Sequence, residues 1–376
     1  MRFYDQMQPV DWKTMQQQIQ EKTDSDVYRA LEHAGQGTLD DLMALLSPAA
    51  EKHLETMAVK SRELTIKRFG KTISLYIPLY LSNECTNQCV YCGFNRNNRM
   101  ERTTLSREQM IREAEHIRNM GFGHILVVTG EHPGKAGFSY LRKALQEMTG
   151  LFSLVSMEVQ PLDTEEYRIM AEEGLHSVYI YQETYHQKRY GIYHPMGRKS
   201  NFRYRLQTPE RLGDAGVHKV GLGVLLGLED WRTDSFFTGW HLRYLQKNYW
   251  RTHYSISFPR LRPFAGNYQP RHPVSDRQLV QLITAYRIFD EKVDLALSTR
   301  ESPYFRDHAL QLGITTMSAG SSTGPGKYSQ QENSLEQFQV ADHRSPGEIR
   351  DILKSKGYEA VWKNWDESLQ ATNHRQ

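Results

Sequence analysis

Three cysteines fall within one stretch, CTNQCVYC from Cys85 to Cys92, and the 376-residue chain contains no others. Cys85, Cys89 and Cys92 therefore offer three soft thiolates on one short loop. A cubane of four irons and four sulfides takes thiolates at its corners, and three neighbouring cysteines reach three of them. The fourth iron is then left without a protein sulfur and open to chelation by a small molecule. The competing chemistry is a structural zinc ion with one of the 15 histidines as fourth ligand. Zinc loops usually bring their ligands as two separated pairs, so this run of three favours the cluster.

Such a loop needs a rigid support, and the sequence supplies one. Short apolar or alternating runs occur at Thr72–Leu81, His124–Thr129, Leu154–Val159, Ser177–Tyr181, Val220–Leu228, Tyr254–Leu261, Val293–Ser298 and Ile314–Ser318. Helical segments lie between most of them. Ser106 with Gln109 forms a capping box, Thr164 and Thr208-Pro209 open helices, and Ser275 and Ser302-Pro303 open two more. Eight strands alternating with helices predict an α/β fold, a (β/α)8 barrel; an open doubly wound sheet is the competitor. In the barrel reading the polar residues gather where strands end, which is where barrels place chemistry. Thr129, Gly130 and Glu131 follow the second strand, Glu158 ends the third, and Glu183 follows the fourth. Arg260 and Arg262 follow the sixth, Arg300 the seventh, and Ser318 and Ser321 the eighth.

Residues 1–70 read as a helical N-terminal extension, with Asp24 and Thr38 as N-caps. Residues 71–322 form the expected barrel. Residues 323–376 begin rich in Gly, Pro and Ser and read as a C-terminal extension over the barrel mouth or flank, finishing with a helix and the aromatic VWKNWDESL.

Composition sets outer limits. Lys and Arg number 47 against 44 Asp and Glu, a net charge of +3, which makes no case for binding a polyanion. A hydrophobic content of 39% builds a large core. The most apolar runs, Ile125–Val128 and Val220–Leu228, fall far short of the roughly 20 residues that span a bilayer. The opening MRFYDQMQPVDW has no apolar signal core, and three cysteines cannot all pair, so a reducing, cytoplasmic setting is expected.

The motif Cys85-x3-Cys89-x-Tyr91-Cys92, with an aromatic before its last cysteine, resembles that of radical S-adenosylmethionine (SAM) enzymes. The resemblance implies a 4Fe-4S cluster on Cys85, Cys89 and Cys92, with SAM chelating the open iron. Thr129-Gly130-Glu131 resembles the Gly-Gly-Glu element that holds the SAM amino group. Gly223-x-Leu225-x-Gly227-x-x-Asp230 resembles the element that packs adenine, with conservative departures. Tyr91, Glu158 and Glu183 are further candidate cofactor contacts, the two glutamates being equally candidates for substrate or for ion pairs within the mouth.

Over nearly the whole chain, NECTNQCVYCGF, VVTGEH, YQETYH, GLGVLLGL, SFPRLRP and LSTRES occur in the order and spacing of the 2-iminoacetate synthases. These are tyrosine lyases of thiamine thiazole biosynthesis. That resemblance implies cleavage of the Cα–Cβ bond of L-tyrosine to 2-iminoacetate and p-cresol. It also implies a flavodoxin-like electron donor and a thiazole synthase partner. Arg300 is the expected binder of the tyrosine carboxylate, because its planar guanidinium binds a carboxylate in two places, supported by Ser318 and Ser321. Arg260 and Arg262 are the runners-up, with pairing to Glu183 or Glu301 as their alternative role. A related tyrosine lyase of hydrogenase maturation carries further C-terminal cysteines for a second cluster. This chain has none after Cys92, so release of 2-iminoacetate is the expected end point. The alternatives are a radical SAM reaction on another aromatic amino acid such as tryptophan, and a zinc-stabilised binding protein.

Overall fold

The structure, a computed structural model, describes residues 1–329 and 336–362. Its centre is a ring of eight parallel strands: β1 (Thr72–Ser82), β2 (His124–Thr129), β3 (Leu154–Glu158), β4 (Leu175–Tyr179), β5 (Lys219–Gly223), β6 (His253–Ser257), β7 (Asp294–Leu297) and β8 (Thr316–Ser318). Each pairs with its successor, and β8 returns to β1 through Ser74 opposite Thr316, so the sheet closes. Helices cover the outside, and the strands are accordingly almost wholly buried; β2, HILVVT, is buried at every position. Closure thus decides for the barrel over the open sheet.

Alternate residues point inward, as strand geometry requires. Tyr76, Pro78 and Tyr80 of β1, Leu126 and Val128 of β2, Glu158 of β3 and Ser318 of β8 all face one internal space. In β5 two glycines make room for tyrosine rings. A Cβ on Gly221 would sit 2.0 Å from Cδ1 of Tyr179, and one on Gly223 would sit 3.0 Å from Cδ1 of Tyr181.

Several boundaries differ from the sequence expectation. β5 and β6 stop at Gly223 and Ser257, short of Leu228 and Leu261. Beyond them the chain keeps only isolated parallel bridges, Glu183 to Val224 and Leu226 to Arg260. Pro259 can donate no ladder hydrogen bond there. In the N-terminal region Thr23, not Asp24, caps the helix Asp24–Glu32; Thr23 and Asp26 form a capping box. The Asp24 carboxylate instead faces His53 at 3.1 Å and Lys52. Thr38 caps Leu39–Leu46 as expected. The helices Leu39–Leu46 and Leu54–Phe69 pack on the barrel helices Trp231–Asn248 and Asp276–Phe289.

The C-terminal segment touches both ends of the barrel. Gln337 and Phe338 reach the mouth. The chain then forms the helix Pro346–Ser355 and a ninth strand, β9 (Glu359–Val361), which the sequence reading lacks. β9 runs parallel to the lower third of β1, pairing Thr72 with Glu359. Of VWKNWDESL, the residues after Trp362 lie outside the described residues.

Candidate active site

The cysteine loop leaves β1 at Ser82 and has no regular secondary structure, so side chains hold its shape. Arg102 donates to the carbonyls of Asn83, Phe94, Asn95 and Asn98, at 2.7 to 3.2 Å. The Asn83 amide donates to the Glu101 carbonyl and accepts from the Thr103 N–H. Asn95 donates to the Cys89 carbonyl at 2.9 Å. The Gly93 N–H donates to the Gln337 carbonyl, which docks the C-terminal segment on the loop. Each of these bonds satisfies a backbone group that regular structure would otherwise pair.

All three cysteines line one recess at the barrel mouth, of about 920 Å³. Tyr91, Thr129, Gly130, Glu131, Glu158 and Glu183 line it with them, as do Asn87, Lys199, Arg205, Leu225 and Arg262. A second recess, of about 600 Å³, goes deeper and is lined by Tyr76, Tyr80, Ser257, Ser318, Ser321 and Thr323. The two share a wall of Val128, Glu158, Tyr181, Pro259, Arg300 and Phe338. The mix of aromatic surface with a few convergent polar groups is that of a ligand site.

Charges alternate along the first recess. Arg205 holds Glu131 at 2.8 Å and approaches Glu183 at 3.7 Å, and Lys199 holds Glu183 at 2.6 Å. Asn87 donates to the other Glu131 oxygen at 2.8 Å. Burial alone would raise the Glu131 carboxyl, but Arg205 and Lys199 hold it below the usual carboxylate range. Glu183 sits at φ 70°, the one non-glycine residue with positive φ among those described. Such strain persists where surroundings over-determine it: the Leu225 N–H bonds to its carbonyl and Lys199 to its carboxylate.

The donor set fits a cubane. Burial pushes the Cys85 thiol up to about 11 and raises Cys89 and Cys92 as well, so thiolates here require a bound cationic centre. Among the described residues no three His, Cys, Asp or Glu side chains converge on one metal ion. A cubane spreads three thiolates over separate corners, which three cysteines on one loop can reach. His194 lies close by, but its Nε2 contacts the Tyr91 hydroxyl at 2.6 Å and its Nδ1 the Tyr190 carbonyl at 3.0 Å. Burial pushes it well below its ordinary range, so it is a neutral partner of Tyr91.

Not every expected residue reaches the cavity. Gly223 and Gly227 are not among its lining; Gly223 accommodates Tyr181, and Gly227, at φ 119°, faces Pro270 and Leu261. Leu225 between them does line it. Asp230 caps the helix Trp231–Asn248. Arg260 is occupied by Glu301 and by Asp276 at 2.8 Å, and Arg262 by Glu301 at 2.7 Å. Arg300 stacks on Phe338 at 3.3 Å, with Ser318 and the unpartnered Ser321 hydroxyl in the same recess. Sequence reasoning missed Lys199, Arg205 and Arg102. In MGRKSNFRYRL and NRNNRMERT they look like any solvated basic run, and only the fold reveals which basic residues turn inward.

Residues 79–237 match the radical SAM superfamily, and residues 257–359 match the Biotin and Thiamin Synthesis associated domain. The chain is 48% identical to the 2-iminoacetate synthase of Escherichia coli strain K12 over 374 residues, 99% of each chain. The chain belongs to the 2-iminoacetate synthase family. A second 2-iminoacetate synthase, from Salmonella typhimurium strain LT2, is 47% identical over 98% of this chain and 97% of its own. A crystal structure of HydG, a maturase of the FeFe-hydrogenase, superposes with a TM-score of 0.89 at 31% identity. It covers 94% of this chain and 81% of that one. The methylornithine synthase PylB shares the fold, at a TM-score of 0.73 and 19% identity over 92% of this chain and 99% of its own. Members of the 2-iminoacetate synthase family use a 4Fe-4S cluster and SAM, and the three-thiol recess with its ladder of opposite charges is built for that pair.

Proposed function

We propose that this protein cleaves the Cα–Cβ bond of L-tyrosine to 2-iminoacetate and p-cresol, supplying the thiazole moiety of thiamine. The observation that carries this reading is the pair of recesses sharing one wall, with three thiols in the first and, on the shared wall, the Arg300 guanidinium, which makes no ion pair among the described residues. Bound together, the cluster and SAM supply a 5′-deoxyadenosyl radical able to take a hydrogen atom from the substrate amino group. The residues do the rest. Cys85, Cys89 and Cys92 would hold three irons of the cluster and leave the fourth open to SAM. Lys199 and Arg205, two cations of the first recess, would neutralise its carboxylate. The Glu131 carboxylate is held in place by Arg205 and Asn87, and with the carbonyls of Thr129 and Gly130 it would accept from the SAM ammonium. Arg300 holds the tyrosine carboxylate with Ser318 and Ser321 beside it, and the aromatic walls exclude water from so reactive a site.

A flavodoxin-like donor and a thiazole synthase partner complete the scheme, the latter because an imine hydrolyses in water and gains from direct transfer. No helix among the described residues is long and apolar enough to cross a membrane; a cytoplasmic setting is part of the proposal. So is the division into a helical extension (1–70), a barrel (71–322) and a C-terminal extension (323–376). Anaerobic reconstitution with iron, sulfide, SAM, reductant and tyrosine tests the reaction. 5′-Deoxyadenosine, p-cresol and glyoxylate from hydrolysed imine are expected together. Deoxyadenosine without p-cresol would assign a different substrate.

A further inference from the structure

Among the described residues, two charged side chains of the cavity enter no ion pair, and they share its dividing wall. Of the carboxylates there, Glu131 is held by Arg205 and Glu183 by Lys199, while Glu158 makes no hydrogen bond or ion pair with any described residue. Of the cations, Lys199, Arg205 and Arg262 are each committed to a glutamate, while Arg300 only stacks on Phe338. An α-amino acid carries its ammonium and carboxylate on the same carbon. Glu158 and Arg300 line the same wall, and Arg300 acts electrostatically on Glu158, so a substrate with its carboxylate on Arg300 would bring its ammonium towards Glu158.

Resting on the tyrosine-lyase reading, we propose that Glu158 receives a proton from the substrate ammonium and so delivers the neutral amine from which hydrogen is abstracted. One N–H bond breaks with its electron pair left on nitrogen, and the proton forms an O–H bond on the Glu158 carboxylate. No oxidant or reductant takes part. Abstraction from an ammonium would leave charge and radical on one nitrogen in a low-dielectric barrel. Moving the proton first converts two buried charges into two neutral groups, which burial favours. Burial pushes the Glu158 carboxyl up to about 7, with Glu183 raising it further, while Arg300, Lys199 and Arg205 act against them. Tyr76 and Tyr80 from β1 and Tyr179 and Tyr181 from β4 and its end complete its surroundings; each is itself raised by burial and so neutral. A base titrating near neutrality suits proton transfer at physiological pH.

The test uses the reconstituted enzyme with SAM. Wild-type kcat/KM for tyrosine, read as p-cresol, is expected to rise with pH and level off above about 7. In Glu158→Gln it falls at least about 100-fold at pH 7. The residual rate then climbs about tenfold per pH unit to pH 9, following the free-amine fraction of the substrate. Glu158→Asp restores part of the plateau. A deficit of constant size at every pH, or one explained by weaker SAM binding in equilibrium dialysis, overturns the proposal. Calorimetry in two buffers gives a readout without turnover: at pH 6 tyrosine binding releases about one proton from wild type and none from Glu158→Gln. No release from wild type also overturns it, and that measurement stands even if the variant fails to fold. If wild type makes no p-cresol at any pH, the lyase reading fails instead.

Discussion

Arg300 and Glu158 give the site its individuality, and each is tested by its own substitution. Arg300→Ala removes the unpaired guanidinium above Phe338. A charge-assisted bond to carboxylate contributes about 1.5–3 kcal/mol, so KM for tyrosine is expected to rise about 10- to 100-fold. Steady-state p-cresol formation measures this, and Arg300→Lys, which keeps the charge and loses the fork, falls between. For Glu158 the relevant quantity without substrate is stability. Its folded carboxyl titrates at about 7 because of burial, against an ordinary 4.5. A group raised in the folded state contributes its stabilisation below the unfolded pKa and loses it as pH rises through the folded one. Wild type should therefore lose up to about 3 kcal/mol relative to Glu158→Gln between pH 5 and pH 8. Urea midpoints of the substrate-free protein at the two pH values would show it; equal midpoint differences would mean that Glu158 is solvated.

The cysteine loop is an element without regular structure, and its backing is the C-terminal segment. A Cβ on Gly93 would lie 2.4 Å from the Glu336 carbonyl and 2.8 Å from that of Gln337. Backbone cannot yield that much in place, so Gly93→Ala should lift the segment off the loop. The expected outcome is an iron content reduced by half or more after desalting, with the far-UV circular dichroism of the barrel unchanged. How much of this was legible beforehand varies by element. Strand order and the helix starts at Ser106, Thr164, Thr208, Ser275 and Ser302 were readable because local chemistry, a cap or a buried apolar run, determines them. Thr23 was passed over for its neighbour Asp24 because both side chains can cap and only backbone angles discriminate. β9 was not readable, since EAV is three residues long and becomes a strand only because the lower part of β1 offers it an edge. Within the site, the cysteines, Glu131, Glu158 and Arg300 announced themselves by type and position at strand ends. Lys199 and Arg205 did not, because they sit on short helical turns between β4 and β5, Arg198–Ser200 and Phe202–Leu206, too short for any periodicity to show which side turns inward. Gly223 and Gly227 flank Leu225, which lines the recess, while they themselves accommodate Tyr181 and face Pro270 and Leu261, packing that no spacing encodes.

At the level of the whole molecule, the barrel is closed by pieces distant in sequence. Arg306, in the helix Pro303–Ala309, is fully buried against an equally buried Asp342 and also donates to the Ser318 carbonyl at the end of β8. Removing one partner strands a charge without water, at a cost of about 3–5 kcal/mol. Asp342→Ala should therefore lower the thermal transition markedly, while Asp307→Ala, which loses one partly exposed pair with Arg344, should shift it little. Comparable shifts would show that Asp342 has no special place. The bond from Gly93 to Gln337 has a consequence for how the enzyme is made. At roughly 5–20 residues per second, a ribosome releases the three cysteines many seconds before the segment that seats their loop. During translation the thiols are thus presented on an unfinished support, and iron–sulfur assembly machinery meets its proper acceptor only after the segment around Gln337 has emerged.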